Sequence, residues 1–349
     1  MRGFKFSKAF EDYVPNAPVR VTVFGKTDLG RTRDHNEDTF LVVDLTTGNA
    51  SLQPEVRDHA VGERGSLFMV ADGMGGAAAG EIASAMAADV ILTHLKETWI
   101  HDQEPTSQRF AFRLKEAVEH ANTRINQHSK EHPEVRGMGT TVTVAGILGN
   151  ELYLAQVGDS RAYLIRNGGA IQLTKDQSLM QRLVEAGELT EEEAEQSERR
   201  NIILQALGPE ARVKVDLTYQ PLSKGDTVVL CSDGLSGQVK KEEIAELVNQ
   251  QPDLVALCSR LIDIANSRGG PDNITAVVAR FDGAGLLDPR TSGEAGYQVY
   301  PLHEGDATTQ PVPIYTGSPA PVSRKHQQRL MLIAIASAVL AIAAFLLLR

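Results

Sequence analysis

An α+β sandwich, with antiparallel sheets inside and amphipathic helices outside, is what this 349-residue chain predicts. Three observations predict it. Short runs rich in Val, Ile and Thr, bounded by Gly, Asn and Asp, recur across residues 19–281 and read as strands. Consecutive runs are joined by turn dipeptides, which means hairpins and antiparallel pairing. Between them lie two pairs of segments whose apolar residues repeat every 3.6 positions, the period of a helix with one buried face.

Residues 1–18 form a loose leader, and strands are expected at 19–25, 39–45 and 66–71. A helix over 80–99 opens from a glycine-rich loop. A second, over 107–129, places Phe110, Leu114, Ala117, Val118, Ala121 and Ile125 on one face. Strands 140–148 and 151–157 flank Gly149-Asn150, and strands 161–166 and 170–173 flank Asn167-Gly168, a strong hairpin signal. After a strand at 227–232 come helices at 241–249 and 252–268. The latter carries the stripe Leu254, Leu257, Cys258, Leu261, Ile262 and Ala265. A strand at 274–281 closes the catalytic domain, which is assigned to residues 19–282.

Beyond it the pattern dissolves. Residues 283–329, with the proline-rich "QPVPIYTGSPAPVS", are expected to be a disordered linker. Residues 330–348, "LMLIAIASAVLAIAAFLLL", carry no charge, and at about 1.5 Å per residue they nearly match a hydrocarbon core of roughly 30 Å. A single-pass C-terminal transmembrane helix is expected. Arg324, Lys325 and Arg329 precede it and only Arg349 follows, which keeps the preceding domain cytoplasmic.

Composition narrows the function. The chain has 35 Lys and Arg against 45 Asp and Glu, a net charge of −10, which argues against nucleic acid and suits divalent cations. Two cysteines, Cys231 and Cys258, make no disulfide framework, and the N-terminus has no apolar signal core, so a reduced, cytosolic setting is expected. Cys231 lies inside a strand with no phosphate-binding loop around it and reads as core.

The chemistry lies in carboxylates at strand ends. In "FMVADGMGGAAAGE" an apolar run ends on Asp72 and gives way to glycines; "VVLCSDGL" ends likewise on Asp233. Asp38 follows Glu37 just before a strand, Asp272 opens the turn before "NITAVVARF", and Asp159 sits in the tight turn of "AQVGDSRAYL". Asp-Gly is an ordinary turn dipeptide. A buried strand that ends on a lone carboxylate is not, because desolvating it costs several kcal/mol unless a partner or a metal is present. Acids gathered at sheet ends without bases call for a divalent cation, and an all-oxygen set selects Mg²⁺ or Mn²⁺ over zinc. Glycine at 73 lets a backbone carbonyl approach the same ion. Arg33, four residues before Glu37, supplies a planar fork suited to phosphate oxygens.

In order along the chain, Arg33 with Asn36-Glu37-Asp38, Asp72-Gly73-Met74-Gly75-Gly76, Gly139-Thr140-Thr141, Gly158-Asp159-Ser160-Arg161, Ser232-Asp233-Gly234 and Asp272-Asn273-Ile274-Thr275 resemble the metal-dependent Ser/Thr protein phosphatases of the 2C type. The resemblance covers roughly residues 19–281. It implies an αββα sandwich of two antiparallel sheets flanked by helix pairs, two Mn²⁺ or Mg²⁺ ions with a possible third, and phosphoserine or phosphothreonine in proteins as substrate. It implies that Asp72 bridges two ions and the Gly73 carbonyl binds one of them. Asp233 and Asp272 would complete the other ion's shell, and Glu37 and Asp38 would act around the second. Asp159 would share a third site with Asp233, Arg33 would bind the substrate phosphate, and residues 174–208 would be a flap beside the cleft. One position departs: Met74 stands where some members carry a proton-donating histidine, and a thioether cannot donate a proton. The expected protein is a phosphatase tethered at a membrane and opposing a Ser/Thr kinase. The alternatives are a silent member that senses phosphopeptides or scaffolds a membrane complex, and a regulatory phosphatase dedicated to one partner.

Overall fold

The computed structural model describes residues 13–14, 17–75, 79–197, 199–291 and 293–302. Its strands are β1 (Arg20–Asp28), β2 (Asp38–Asp44), β3 (Asn49–Ser51), β4 (Arg57–Ala60), β5 (Ser66–Met74), β6 (Gly139–Thr140), β7 (Val142–Leu148), β8 (Glu151–Val157), β9 (Arg161–Arg166), β10 (Gly169–Gln172), β11 (Asp216–Pro221), β12 (Thr227–Cys231) and β13 (Ile274–Asp282). The helices are α1 (Ala79–Thr98), α2 (Ser107–Glu131), α3 (Leu179–Glu185), α4 (Glu191–Gln196), α5 (Asp233–Ser236), α6 (Lys241–Gln250) and α7 (Leu254–Ser267).

The strands make two antiparallel sheets. The first runs β10-β9-β12-β13-β1-β4, and the second runs β11-β8-β7-β5-β2-β3 with β6 paired to the end of β5. The αββα sandwich is therefore observed, and strand alternation builds it. In β5, Phe68 and Val70 face the other sheet, beside Phe40 and Val42 of β2 and opposite Leu230 of β12 and Val277 of β13. Leu67, Met69 and Ala71 face the opposite way, onto Ile91, Leu95, Phe110 and Leu114 of α1 and α2. The first sheet turns Val229, Cys231 and Val278 outward onto Leu257, Leu261 and Ala265 of α7. Both faces of both sheets are covered, so the central strands read as continuous apolar runs rather than alternating ones. Each fully buried Leu, Ile or Phe in these layers contributes about 1.5–3 kcal/mol.

The hairpin signals hold. Asn167 (φ 52°) and Gly168 (φ 85°) both occupy the left-handed region between β9 and β10, as a tight primed turn requires. Buried polar groups brace the layers. Arg166 donates through Nε and Nη2 to both carboxylate oxygens of Asp226 at 2.9 and 2.6 Å, with side chains 5% and 1% exposed, tying β9 to the turn before β12.

Three expectations need correction. β3, β4 and β11 and helices α3, α4 and α5 were not among the sequence-derived elements; all are short or at sheet edges. The expected strand over 140–148 divides into β6 and β7 at Thr141, whose backbone N–H donates instead to the Asp72 carbonyl at 2.8 Å. And the linker expected from residue 283 does not begin there. Leu286 is buried, Ser223 bridges Leu287, and Thr218 of β11 bridges Val299, so residues up to 302 belong to the folded unit. Their apolar side chains find partners at the edge of the second sheet, where Tyr300 meets Tyr153 and Tyr219 edge-on at 5.4 Å each. The leader's last residues join them, with Val14 N–H donating to the Ala284 carbonyl at 2.8 Å. Among the described residues no helix is long and apolar enough to cross a membrane; residues 330–348 lie outside them.

Candidate metal and phosphate site

The apolar layer between the sheets changes character at one end. Asp38 and Asp72 are direct cross-strand neighbours on β2 and β5, two residues beyond Phe40 and Val70, on the inter-sheet face. Ser232 and Thr275 continue the inward faces of β12 and β13 and donate to Asp38 Oδ2 from across the sandwich, at 2.7 and 2.6 Å. Asp233 begins α5 where β12 ends, and Asp272 precedes β13. Asp159 sits 6% exposed in the turn between β8 and β9. Like charges opposed across two strands destabilise a sheet unless something neutralises them.

The electrostatics show the convergence. Burial first, then the charges of Asp38, Asp233, Asp159 and Asp272, push the Asp72 carboxyl well above the usual carboxylate range. Burial likewise raises Asp38, despite the two hydroxyls that favour its charged form. Burial and then Asp233 raise Asp159, and burial and then Asp272 raise Asp233. Each of Asp38, Asp159 and Asp233 keeps a buried Oδ1 with no hydrogen-bond partner. Hard divalent cations fit this set: oxygen donors only, several acids in mutual reach, and buried lone pairs aimed at no protein donor. Among the described residues no group of three or more acids, histidines or cysteines is placed, as it stands, to hold an ion.

Backbone and amide contacts hold the acids in place. Asn273 accepts from the Glu37 N–H at 2.8 Å and donates to the Leu29 and His35 carbonyls at 2.9 and 3.0 Å, fastening the loop before β2 to the start of β13. Thr141 Oγ1 accepts from the Asp72 N–H at 3.2 Å, and Thr140 Oγ1 donates to the Asp72 carbonyl at 2.9 Å. Gly73 is required by packing: a Cβ there would lie 2.2 Å from the Gly80 carbonyl oxygen and 2.6 Å from that of Glu37.

Of the expected residues, Asp38, Asp72, Asp159, Asp233 and Asp272 converge. Glu37 stands beside them, its carboxylate against Gly80 and its charge acting on Arg33. Arg33 is half-exposed and donates through Nη2 to Asp272 Oδ2 at 2.7 Å. Met74 ends β5 opposite Gly139. Asn273, Ser232, Thr275 and Thr141 act on the site without having been assigned roles from sequence. The available signal was position, since each continues the inward parity of its strand or adjoins an acid.

A sandwich whose inter-sheet layer ends in hard oxygen donors beside an arginine fits a metal-dependent hydrolase of phosphate esters. A family model described as Protein phosphatase 2C matches residues 50–279, which take in Asp72, Asp159, Asp233 and Asp272. The serine/threonine phosphatase stp of Listeria monocytogenes is 37% identical over 257 residues, 74% of this chain and 94% of its own. The crystal structure of the Mycobacterium tuberculosis serine/threonine phosphatase PstP/Ppp matches with a TM-score of 0.63 and 37% identity, over 75% of this chain and 99% of that one. A PstP catalytic domain in complex with two manganese ions matches at 0.61 and 36%, over 76% and 99%. The chain belongs to the protein phosphatase 2C family and is a serine/threonine phosphatase of that type.

Proposed function

We propose that this enzyme hydrolyses phosphoserine and phosphothreonine in proteins at the inner face of a membrane, held there by residues 330–348, in opposition to a Ser/Thr kinase. The observation that carries the catalytic reading is the convergence of five aspartates with three buried, partnerless oxygens. Asp72, Asp233, Asp272, Asp38, Glu37, the Gly73 carbonyl and Asp159 are the groups that would hold the ions. Bound Mn²⁺ or Mg²⁺ supplies charge neutralisation at phosphoryl oxygens and activation of water at neutral pH. The hydroxyls of Ser232 and Thr275 keep Asp38 ionised and oriented. Arg33 gives one nitrogen to Asp272, and its other donors are left for the substrate's non-bridging oxygens. Position 74 offers no proton donor, so the leaving alkoxide's proton comes from water or from another group.

The membrane assignment is supported by the charge-free span and its preceding basic residues. The kinase is supported by the substrate class, since only phosphoryl transfer to Ser and Thr makes it. Hydrolysis of p-nitrophenyl phosphate with Mn²⁺, and its loss with EDTA, tests the catalytic reading; rates indifferent to chelation would refute it. No turnover with any divalent cation would favour a silent scaffold. Asp72→Asn and Asp233→Asn should each abolish turnover and leave the fold intact. Deleting residues 330–349 should release an active enzyme from the membrane fraction.

A further inference from the structure

The edge of the second sheet is closed by the chain's own C-terminal side. Gly296 N–H donates to Gln220 Oε1 at 3.1 Å, Tyr219 N–H to the Gln298 carbonyl at 3.0 Å, and Tyr300 N–H to the Leu217 carbonyl at 2.9 Å. An otherwise open edge at β11 is thereby paired, which natural sheets require. The same segment reaches the flap. Tyr297 lies 4.8 Å beneath Lys175 Nζ, which also meets Glu185 Oε1 of α3 at 3.2 Å. At the start of β11, Asp216 Oδ2 accepts from Gln177 Nε2 at 3.1 Å. Gln177 in turn exchanges bonds with Gly158, next to Asp159, at 2.9 Å in each direction, and its carbonyl accepts from Leu204 N–H at 2.8 Å.

We propose that residues 294–302 form a releasable strap, which when docked on β11 fixes the root of the flap and when undocked frees it. Two features make release cheap. The strap makes two backbone–backbone hydrogen bonds to β11 and one to the Gln220 side chain, its Ala295, Tyr300 and Leu302 are only partly buried against the core, and Val299 at its middle is 64% exposed; peripheral segments of this kind open below the global unfolding free energy. A cavity of about 600 Å³ lined by Lys175, Gln181, Arg182, Gln205, Lys214 and Tyr297 gives the flap root room to shift.

Hydrogen exchange on the full chain tests the device, read at the amides of Gln177, Leu179 and Leu204, with α7 amides as reference. Tyr297→Ala removes the ring under Lys175 and should speed exchange at the flap root about two- to fivefold. Tyr300→Ala, which detaches the strap from Tyr153 and Tyr219, should speed it about tenfold or more. Val299→Ser, at an outward side chain, should change nothing. Unchanged flap-root exchange in Tyr297→Ala would overturn the proposal, as would equal acceleration in α7, which would mean general loosening. If Tyr300→Ala fails to fold, Tyr297→Ala decides alone.

Discussion

Thr275 shows how a single hydroxyl serves the site. It donates to Asp38 Oδ2 at 2.6 Å inside the sandwich, where its own side chain is fully buried. Thr275→Val keeps the shape and deletes the donor, so Asp38 loses one of its two hydroxyl partners. The expected cost is about 1–3 kcal/mol of stability and about 10–100-fold in cation affinity, measured by urea unfolding and by Mn²⁺ titration. Asp226 tests the other kind of buried polar group. Asp226→Asn strands the Arg166 guanidinium, 5% exposed, without its counter-charge and should destabilise the domain by roughly 3–5 kcal/mol. Denaturant midpoints check it. The acids of the site could be read from the sequence because a carboxylate ending an apolar run is chemically conspicuous. Ser232, Thr275 and Thr141 could not, because serine and threonine are ordinary strand residues. What gives them away is parity, which places them on the inward face only once the strands are paired.

Among elements, those with strong periodicity were found and those without were missed. Helix α2 carries its stripe over 25 residues and begins at the Thr106 cap, whose side chain accepts from Arg109 N–H. By contrast α4, "EEEAEQ", has Ala194 as its only apolar side chain and stands on a capping box between Thr190 and Glu193; no stripe announces it. Strand β11 alternates for only six residues and ends on Pro221, as an edge strand can. Helix α1 offers the clearest energetic test at this scale. Trp99, just past its C-terminus, is fully buried, packs against Phe110 at 4.9 Å between centroids, and donates from Nε1 to the Arg64 carbonyl at 2.8 Å. Trp99→Ala should cost about 3–5 kcal/mol, seen in thermal unfolding followed by circular dichroism.

For the whole molecule, the aspartate cluster sets how stability varies with pH. Asp38 and Asp159 are raised to about 7 and about 8 from 3.8, so between those limits the folded chain binds more protons than the unfolded one. Stability of the metal-free protein must then fall as pH rises through that window. His59 and His120, held below 6.5 by burial, act in the opposite sense, but the acids outnumber them. EDTA-treated protein should therefore lose stability in urea between pH 5 and pH 8, and Mn²⁺ should stabilise it most at the upper end. A flat or rising profile without metal would contradict the reading of the cluster. The sandwich itself was foreseeable, because hairpins and paired helices allow few arrangements; the docking of residues 283–302 was not, because their contacts are to distant residues and follow no period.

The pairing of Asp38 with Asp72 ties catalysis to assembly. If β2 slipped by one position against β5, Asp38 would swing out of the inter-sheet layer, and Phe40 and Val42 would leave it too, exchanging places with Leu41 and Val43. A misaligned ligand set cannot arise without a misaligned core. The register that packs the core is thus the same register that sets Asp38 opposite Asp72, so one alignment error would disturb both.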